Sequence, residues 1–147
     1  MGFQFRYESL LNYRRHLKDM AQVELARSLE QLALAKEALG ELTHEYSKVS
    51  TTLHKNLQQR IRAHELRNYA DYLARLKQDI TQKALEVAEW EDVVEQKRKR
   101  LLEKDKDWKI IDKLKDKDFQ RWQTDRRSKE QKALEEMAIL RHGRRFV

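Results

Sequence analysis

Hydrophobic residues recur along this chain at intervals of seven. In its second half Leu66, Leu73, Ile80, Val87, Val94, Leu101 and Trp108 follow one another in unbroken heptad register. The interleaved positions, Tyr69, Leu76, Lys83, Trp90, Lys97, Lys104 and Ile111, are apolar at both ends and basic in the middle. A strict period of seven keeps one apolar seam turned toward a neighbouring helix, which is the mark of a left-handed supercoil. The same residues also fit one long amphipathic helix in a larger bundle. In either case the element is a helix with a single adhesive edge.

Residues 3–60 carry the companion pattern. Leu10, Tyr13, Leu17 and then Met20 or Ala21 open it. The register then shifts by one residue, as in a stutter, and continues as Leu25, Leu32, Leu39, Tyr46 and Leu53, with Ser28, Ala35, Leu42 and Val49 between them. A stutter locally unwinds a supercoil without ending the helix. Gly40 sits inside the pattern at a cost of about 1 kcal/mol against Ala, and the heptads run on past it. Residues 58–66 break the periodicity. The turn is therefore expected at about 60–64, with a first helix over about 3–60 and a second over about 64–140, closed near Gly143, Arg144 and Arg145. So short a connection folds the helices back on each other.

The expected fold is all-α: one domain over residues 1–147, a long antiparallel two-helix coiled-coil hairpin. Counting outward from the turn puts Leu53 near Leu73 and Leu10 near Lys115. Leu32, Leu39, Tyr46 and Leu53 then pack on Leu73, Ile80, Val87 and Val94. The second helix outruns the first, and residues 116–147 form an overhang where the first helix does not reach Phe119 or Trp122. Trp90 and Trp108, by contrast, fall on the seam and read as packing residues.

Composition agrees with helices and a thin core. Of 147 residues, 39% are charged, three are Gly and none is Pro. Without Pro the commonest helix breaker is missing. Mean hydropathy is −0.97, too polar for a thick interior. No run of alternating β-branched and aromatic residues marks a strand. There is no Cys, which excludes disulfides and thiolate zinc sites. Neither a signal peptide nor an apolar run approaching about 20 residues is visible, so a soluble, cytoplasmic protein is expected.

Charge changes the picture more. The formal net charge of +7 is unevenly placed: residues 97–132 hold fifteen Lys/Arg and eight Asp/Glu, and the rest of the chain holds seventeen of each sign. The excess locates where an acidic partner docks. Residues 103–118 alternate in sign, which supports an exposed helix through pairs three and four apart. The basic run Lys97, Arg98, Lys99, Arg100 raises nucleic-acid binding. A basic zipper, however, needs a downstream leucine heptad, and Lys115 and Asp118 occupy those positions, so a solvated, partner-facing stripe is the better account.

No catalytic constellation appears. The glycines are isolated, so no phosphate-cradling loop forms. His16, His44, His54, His64 and His142 lack zinc-ligand spacing. The serines lie in helical context without a nucleophile elbow. A non-enzymatic chain with no cofactor and no bound metal is expected. Phe119 and Trp122, aromatic residues on a basic helix, read as anchors for a partner's pocket, with Arg121, Arg126 and Arg127 beside them.

Three stretches resemble one family. Phe5-Arg6-Tyr7-Glu8-Ser9-Leu10-Leu11 with Glu24-Leu25-Ala26 looks like the start of the flagellar FliJ proteins. Asn68-Tyr69, Tyr72-Leu73, Leu76 and Ile80, with Trp90 ten residues on, is similar to their middle, and residues 130–138 (Glu130-Gln131-Lys132 through Met137-Ala138) resemble their close. The resemblance implies an antiparallel coiled coil similar to the stalk subunit of rotary ATPases. Its joined terminal ends are expected to enter the flagellar export ATPase hexamer, which assigns Phe119, Arg121, Trp122, Arg126 and Arg127 to that contact. It further implies contact with the cytoplasmic domain of the export gate's membrane protein, to which Leu42, Tyr72 and Leu76 correspond in kind. Glu45 and Val49 stand where the family has tyrosines, and Asp79 and Lys83 also depart from its side chains. The implied role is a stalk that handles export chaperones at the cytoplasmic face of the inner membrane and serves flagellum assembly and motility. The equivalent stalk of a virulence type III secretion system, and a structural or nucleic-acid-associated coiled coil, are the alternatives.

Overall fold

The computed structural model describes residues 2–145. Phe146 and Val147, the end of the expected overhang, lie outside them. The described chain is all-α and has no strand. Helix α1 spans Glu8–Leu57 and helix α2 spans Ala63–Arg145, and the two pack against each other as an antiparallel hairpin. Two compact units form along it: Met20–Leu102, and Met1–Asp19 together with Glu103–Val147.

In the unit Met20–Leu102 the core is aliphatic. Leu32, Ala35, Val87 and Val94 are buried together, with Leu25, Leu39 and Trp90 against them. Residues of α1 and α2, small Ala35 and large Trp90 among them, thus share one closely packed seam. The basic seam positions are neutralised locally. The Lys97 ammonium reaches the Glu24 carboxylate at 3.3 Å, and Lys83 turns along its own helix to Glu86 at 2.8 Å. Buried Ser28 donates its hydroxyl to the Leu25 carbonyl at 2.8 Å, which satisfies it inside the seam. Toward the turn the Asn56 side-chain amide donates to the Tyr69 hydroxyl at 3.2 Å, tying the helix ends together. The turn lies at residues 58–62. Leu66, expected at the head of the seam, is exposed because α1 has already ended at Leu57.

The terminal unit is packed differently. Leu11 is only 1% exposed and lies with buried Phe5 and Ile111, flanked by Phe3, Trp108 and Leu114. This overturns the expected register at the start of α1. Leu10, Tyr13 and Met20 are exposed, Leu17 is half-buried and Ala21, the alternative to Met20, is buried; the inward face runs through Leu11, Arg14, Lys18, Ala21, Leu25 and Ser28 in unbroken three–four spacing, without a stutter. Two inward positions are cations, so counting apolar residues alone selects the stripe beside the true one. The structure accommodates both cations. The Arg14 guanidinium donates to the Asp107 carbonyl at 2.8 Å. The Lys18 ammonium lies 4.1 Å from the Trp108 ring centroid and 3.7 Å from Asp105, a cation–π and ionic arrangement that suits a half-buried ammonium.

Helix α1 also begins later than expected, at Glu8 rather than residue 3. The preceding residues are non-helical, and Phe5 is buried against α2. These non-helical residues carry Phe3 and Phe5 onto α2, where Phe5 meets Ile111 and Phe3 meets Phe119 and Trp122. The overhang is shortened accordingly. Contact reaches Trp122 and Gln123, and the exposed stretch of α2 begins at residue 124 rather than 116. At the other end α2 continues through Gly143 to Arg145, since a glycine weakens a helix without having to end it.

Candidate interaction surfaces

The candidate surfaces lie on the outer faces of the two helices. The first is near the turn. Tyr72 is exposed, and its hydroxyl donates to the Glu45 carboxylate at 3.3 Å. The phenol's pKa is raised, first by desolvation and then by the charge and hydrogen bond of Glu45, so it stays a neutral donor. Tyr72 borders a shallow hollow shared with Glu65, Asn68 and Tyr69. Leu42 is half-buried, whereas Leu76 is 5% exposed and belongs to the seam. Of the three residues assigned to the gate contact, Tyr72 is the one open to a partner. Leu76 is buried at the heptad position that turns it toward α1.

The second surface belongs to the terminal unit. Phe119 and Trp122, three residues apart on α2, stack with centroids 5.9 Å apart. The expectation that they stand uncovered is corrected. Phe3 from the extended N-terminal segment packs edge-on against Phe119 at 5.3 Å and tilted against Trp122 at 5.9 Å. Phe119 nevertheless keeps 39% of its surface exposed. The Arg126 guanidinium covers the outer face of Trp122 at 5.4 Å and pairs with Glu130 at 3.4 Å. Phe3, Phe119, Trp122 and Arg126 thus gather into one aromatic platform, and Arg121 and Arg127 are exposed on the same stretch of α2. Phe3 was the missed member. Its signal in the sequence is the alternation Phe3-Gln4-Phe5-Arg6, a two-residue period that marks extended chain with one face buried.

Beyond the platform every described side chain of residues 124–143 is exposed, Leu134, Met137, Ile139 and Leu140 among them. The five histidines are exposed as well. Among the described residues no group of three or more His, Asp or Glu is placed to hold a metal, and no helix is long and apolar enough to cross a membrane.

Known proteins share this pattern. A family model described as "Flagellar FliJ protein" matches residues 3–146. The flagellar FliJ protein of Bacillus subtilis (strain 168) is 24% identical over 139 residues, covering 95% of each chain. The solved structure of a putative YscO homolog from Chlamydia trachomatis has a similar fold, with a TM-score of 0.56 at 17% identity and 96% of each chain covered.

Proposed function

The chain belongs to the flagellar FliJ family, and from that premise we propose that it is a non-enzymatic stalk of the flagellar type III protein export apparatus. In this reading the terminal unit docks in the ring of the export ATPase, the surface around Tyr72 meets the cytoplasmic domain of the export gate, and empty export chaperones are handled along the helices. The protein works at the cytoplasmic face of the membrane, held there through its partners, and its loss impairs flagellum assembly and motility.

The observation that carries the reading is the terminal unit itself. It joins an aromatic platform, Phe119 and Trp122, to exposed Arg121 and Arg127 and to a stretch of α2 that no described residue covers. Aromatic and Arg side chains are the types that dominate protein interfaces. The flagellar description of the family and of the Bacillus relative favours this setting over a virulence secretion system.

The test is capture of the flagellar ATPase by the purified protein. Reversing Arg121, Arg126 and Arg127 to Glu should weaken capture at low salt, with the difference shrinking as salt shortens the screening length. Replacing Phe119 and Trp122 with Ala should cost about 2 kcal/mol or more each at every salt concentration. Wild-type capture by both variants, with helical content intact, would overturn docking through the terminal unit. For the gate contact, Tyr72→Ala should reduce binding while Leu76→Ala acts through stability alone.

A further inference from the structure

The alternating charges of residues 103–118 balance in the sequence, and the helix sorts them only in part: Glu103, Asp107 and Asp116 stay exposed, and Lys104 and Lys115 are half-buried. Asp105, Asp112 and Asp118 are half-buried at or beside the seam, and Asp105 is held there by Lys18 and Lys109. Lys106, Lys109, Lys113 and Lys117 are all exposed. Inward positions on this stretch of α2 are Lys104, Trp108, Ile111, Lys115 and Asp118, none of them fully exposed. Lys106 and Lys113 stand half a helical turn away from that line, and Lys109 and Lys117 flank them. A stretch with six charges of each sign therefore presents an outer ridge with a lysine excess, Lys106, Lys109, Lys113 and Lys117 against exposed Glu103 and Asp116 at its edges. Among the described residues Lys106, Lys113 and Lys117 form no ion pair, and Lys109 shares Asp105 with Lys18.

An apolar side chain interrupts this ridge. Ile110 is 61% exposed. It lies four residues after Lys106, three before Lys113 and seven before Lys117, so the four share one face of the helix.

We propose that this ridge binds directly to an anionic lipid surface, with Lys106, Lys109, Lys113 and Lys117 meeting headgroup phosphates and Ile110 entering the interface between them. Three observations favour lipid over other polyanions. Flexible lysines, rather than the arginines found at the aromatic platform, carry the charge, and lysine is depleted from the cores of protein–protein interfaces. An exposed isoleucine among the cations suits a headgroup boundary, where lysine stems lie along apolar surface while their ammonium groups reach the phosphates. Nucleic-acid interfaces, by contrast, are strongly polar and carry aromatic or planar groups for stacking, and none lies on this ridge. The stalk reading has the protein reach the membrane through its partners; the ridge gives it a contact of its own. It leaves the aromatic platform free, since Arg121, Trp122, Arg126 and Arg127 are not among its residues.

The experiment is cosedimentation of the full chain with vesicles of equal parts phosphatidylglycerol and phosphatidylcholine, against pure phosphatidylcholine. Binding is expected to the anionic vesicles alone and to fall steeply with salt. Each lysine near a charged membrane contributes about fivefold, so the combined change of Lys106, Lys109, Lys113 and Lys117 to Gln should lower the partition coefficient at least tenfold. The corresponding Lys→Arg variant should bind like wild type, and Ile110→Ser should weaken binding severalfold, most visibly at high salt. Circular dichroism on each variant separates loss of the ridge from loss of the fold. No binding to anionic vesicles, undiminished binding by a folded Lys→Gln variant, or failure of a folded Lys→Arg variant would each overturn the proposal. Tighter binding to a single-stranded oligonucleotide than to the vesicles would overturn it in favour of nucleic acid. ATPase capture by the Lys→Gln variant reports on the platform separately, so either reading can fail while the other stands.

Discussion

The unit Met20–Leu102 and the terminal unit are built from the same two helices but held together by different chemistry. The first is closed by an aliphatic cluster, Leu32, Ala35, Val87 and Val94, with Trp90 packed against it. The second has one well-enclosed leucine and then relies on rings and cations: Phe3 and Phe5, Trp108 under Lys18 and Arg15, Trp122 under Arg126. Aliphatic layers need only the right spacing, and every turn repeats the last. Aromatic and cationic contacts need particular partners, and here several come from outside the helical register. The surface that best fits an interface lies on the second kind of packing, where side chains are half-exposed and able to exchange an internal contact for an external one.

The sharpest way to break this contrast is at the enclosed leucine. Leu11→Ala should lower stability by about 2–5 kcal/mol in urea unfolding, the range for a truncated core leucine, while exposed Leu10→Ala stays within about 0.5 kcal/mol. Equal costs for the two would restore the register with a stutter. Hydrogen exchange on Leu11→Ala should show faster amide exchange first in the terminal unit, and on Val94→Ala first in Met20–Leu102. Indistinguishable patterns would mean that the two units open together.

A smaller effect is expected from Phe3→Ala, which removes two ring contacts worth about 1 kcal/mol each beyond their buried area. Its direct reading is the emission of Trp122, which should shift to the red as water reaches the indole. An unshifted spectrum in a variant that keeps Trp122 as its only tryptophan would show that the N-terminal segment does not cover it. Smaller still is the seam pair Lys97–Glu24, where both side chains are one-third exposed. A double-mutant cycle with Lys97→Met and Glu24→Gln should give a coupling of about 0.5–1 kcal/mol, discounted for solvent screening.

The smallest effect distinguishes the units by pH. Asp105 in the terminal unit is held below the usual carboxylate range, first by the hydrogen bond from Lys109, with the charges of Lys109 and Lys18 adding to it and desolvation opposing. Glu86 in the other unit is lowered in the same sense by Lys83 on its own helix. A carboxylate whose folded pKa is depressed contributes its full stabilisation above its unfolded pKa, and loses it as pH falls through the folded value. Both groups therefore weaken the fold on acidification, at the acid end of the ordinary carboxylate range. The Asp105 pairing crosses between helices whereas the Glu86 pairing does not. Asp105→Asn should accordingly flatten the acid limb of the stability curve and abolish its coupling to Lys18→Met, whereas Glu86→Gln should show no coupling to any residue of α1.

Much of this molecule was legible in one dimension. The heptads on α2 from Tyr69 to Ile111 face inward as the spacing requires, because a period of seven admits one seam only. The pairing of α1 with α2 follows from the short break between them. Glu8 and Lys115, 3.0 Å apart, lie where counting outward from the turn puts the start of α1. What the spacing could not settle was the region where inward positions are not apolar. Arg14 and Lys18 face the seam because Asp107, Asp105 and Trp108 on the other helix receive them, and those partners are more than eighty residues away in the chain. Phe3 meets Phe119 and Trp122 for a related reason: the segment before α1 is not helical, and its reach depends on where α1 begins. The lysine excess on the outer face of residues 103–118 likewise exists only once the seam has chosen its face. Periodicity determined the helices, their order and their pairing. The tertiary structure decided which charges and rings that pairing leaves exposed, because a polar side chain's place is set by the partner it finds rather than by its spacing.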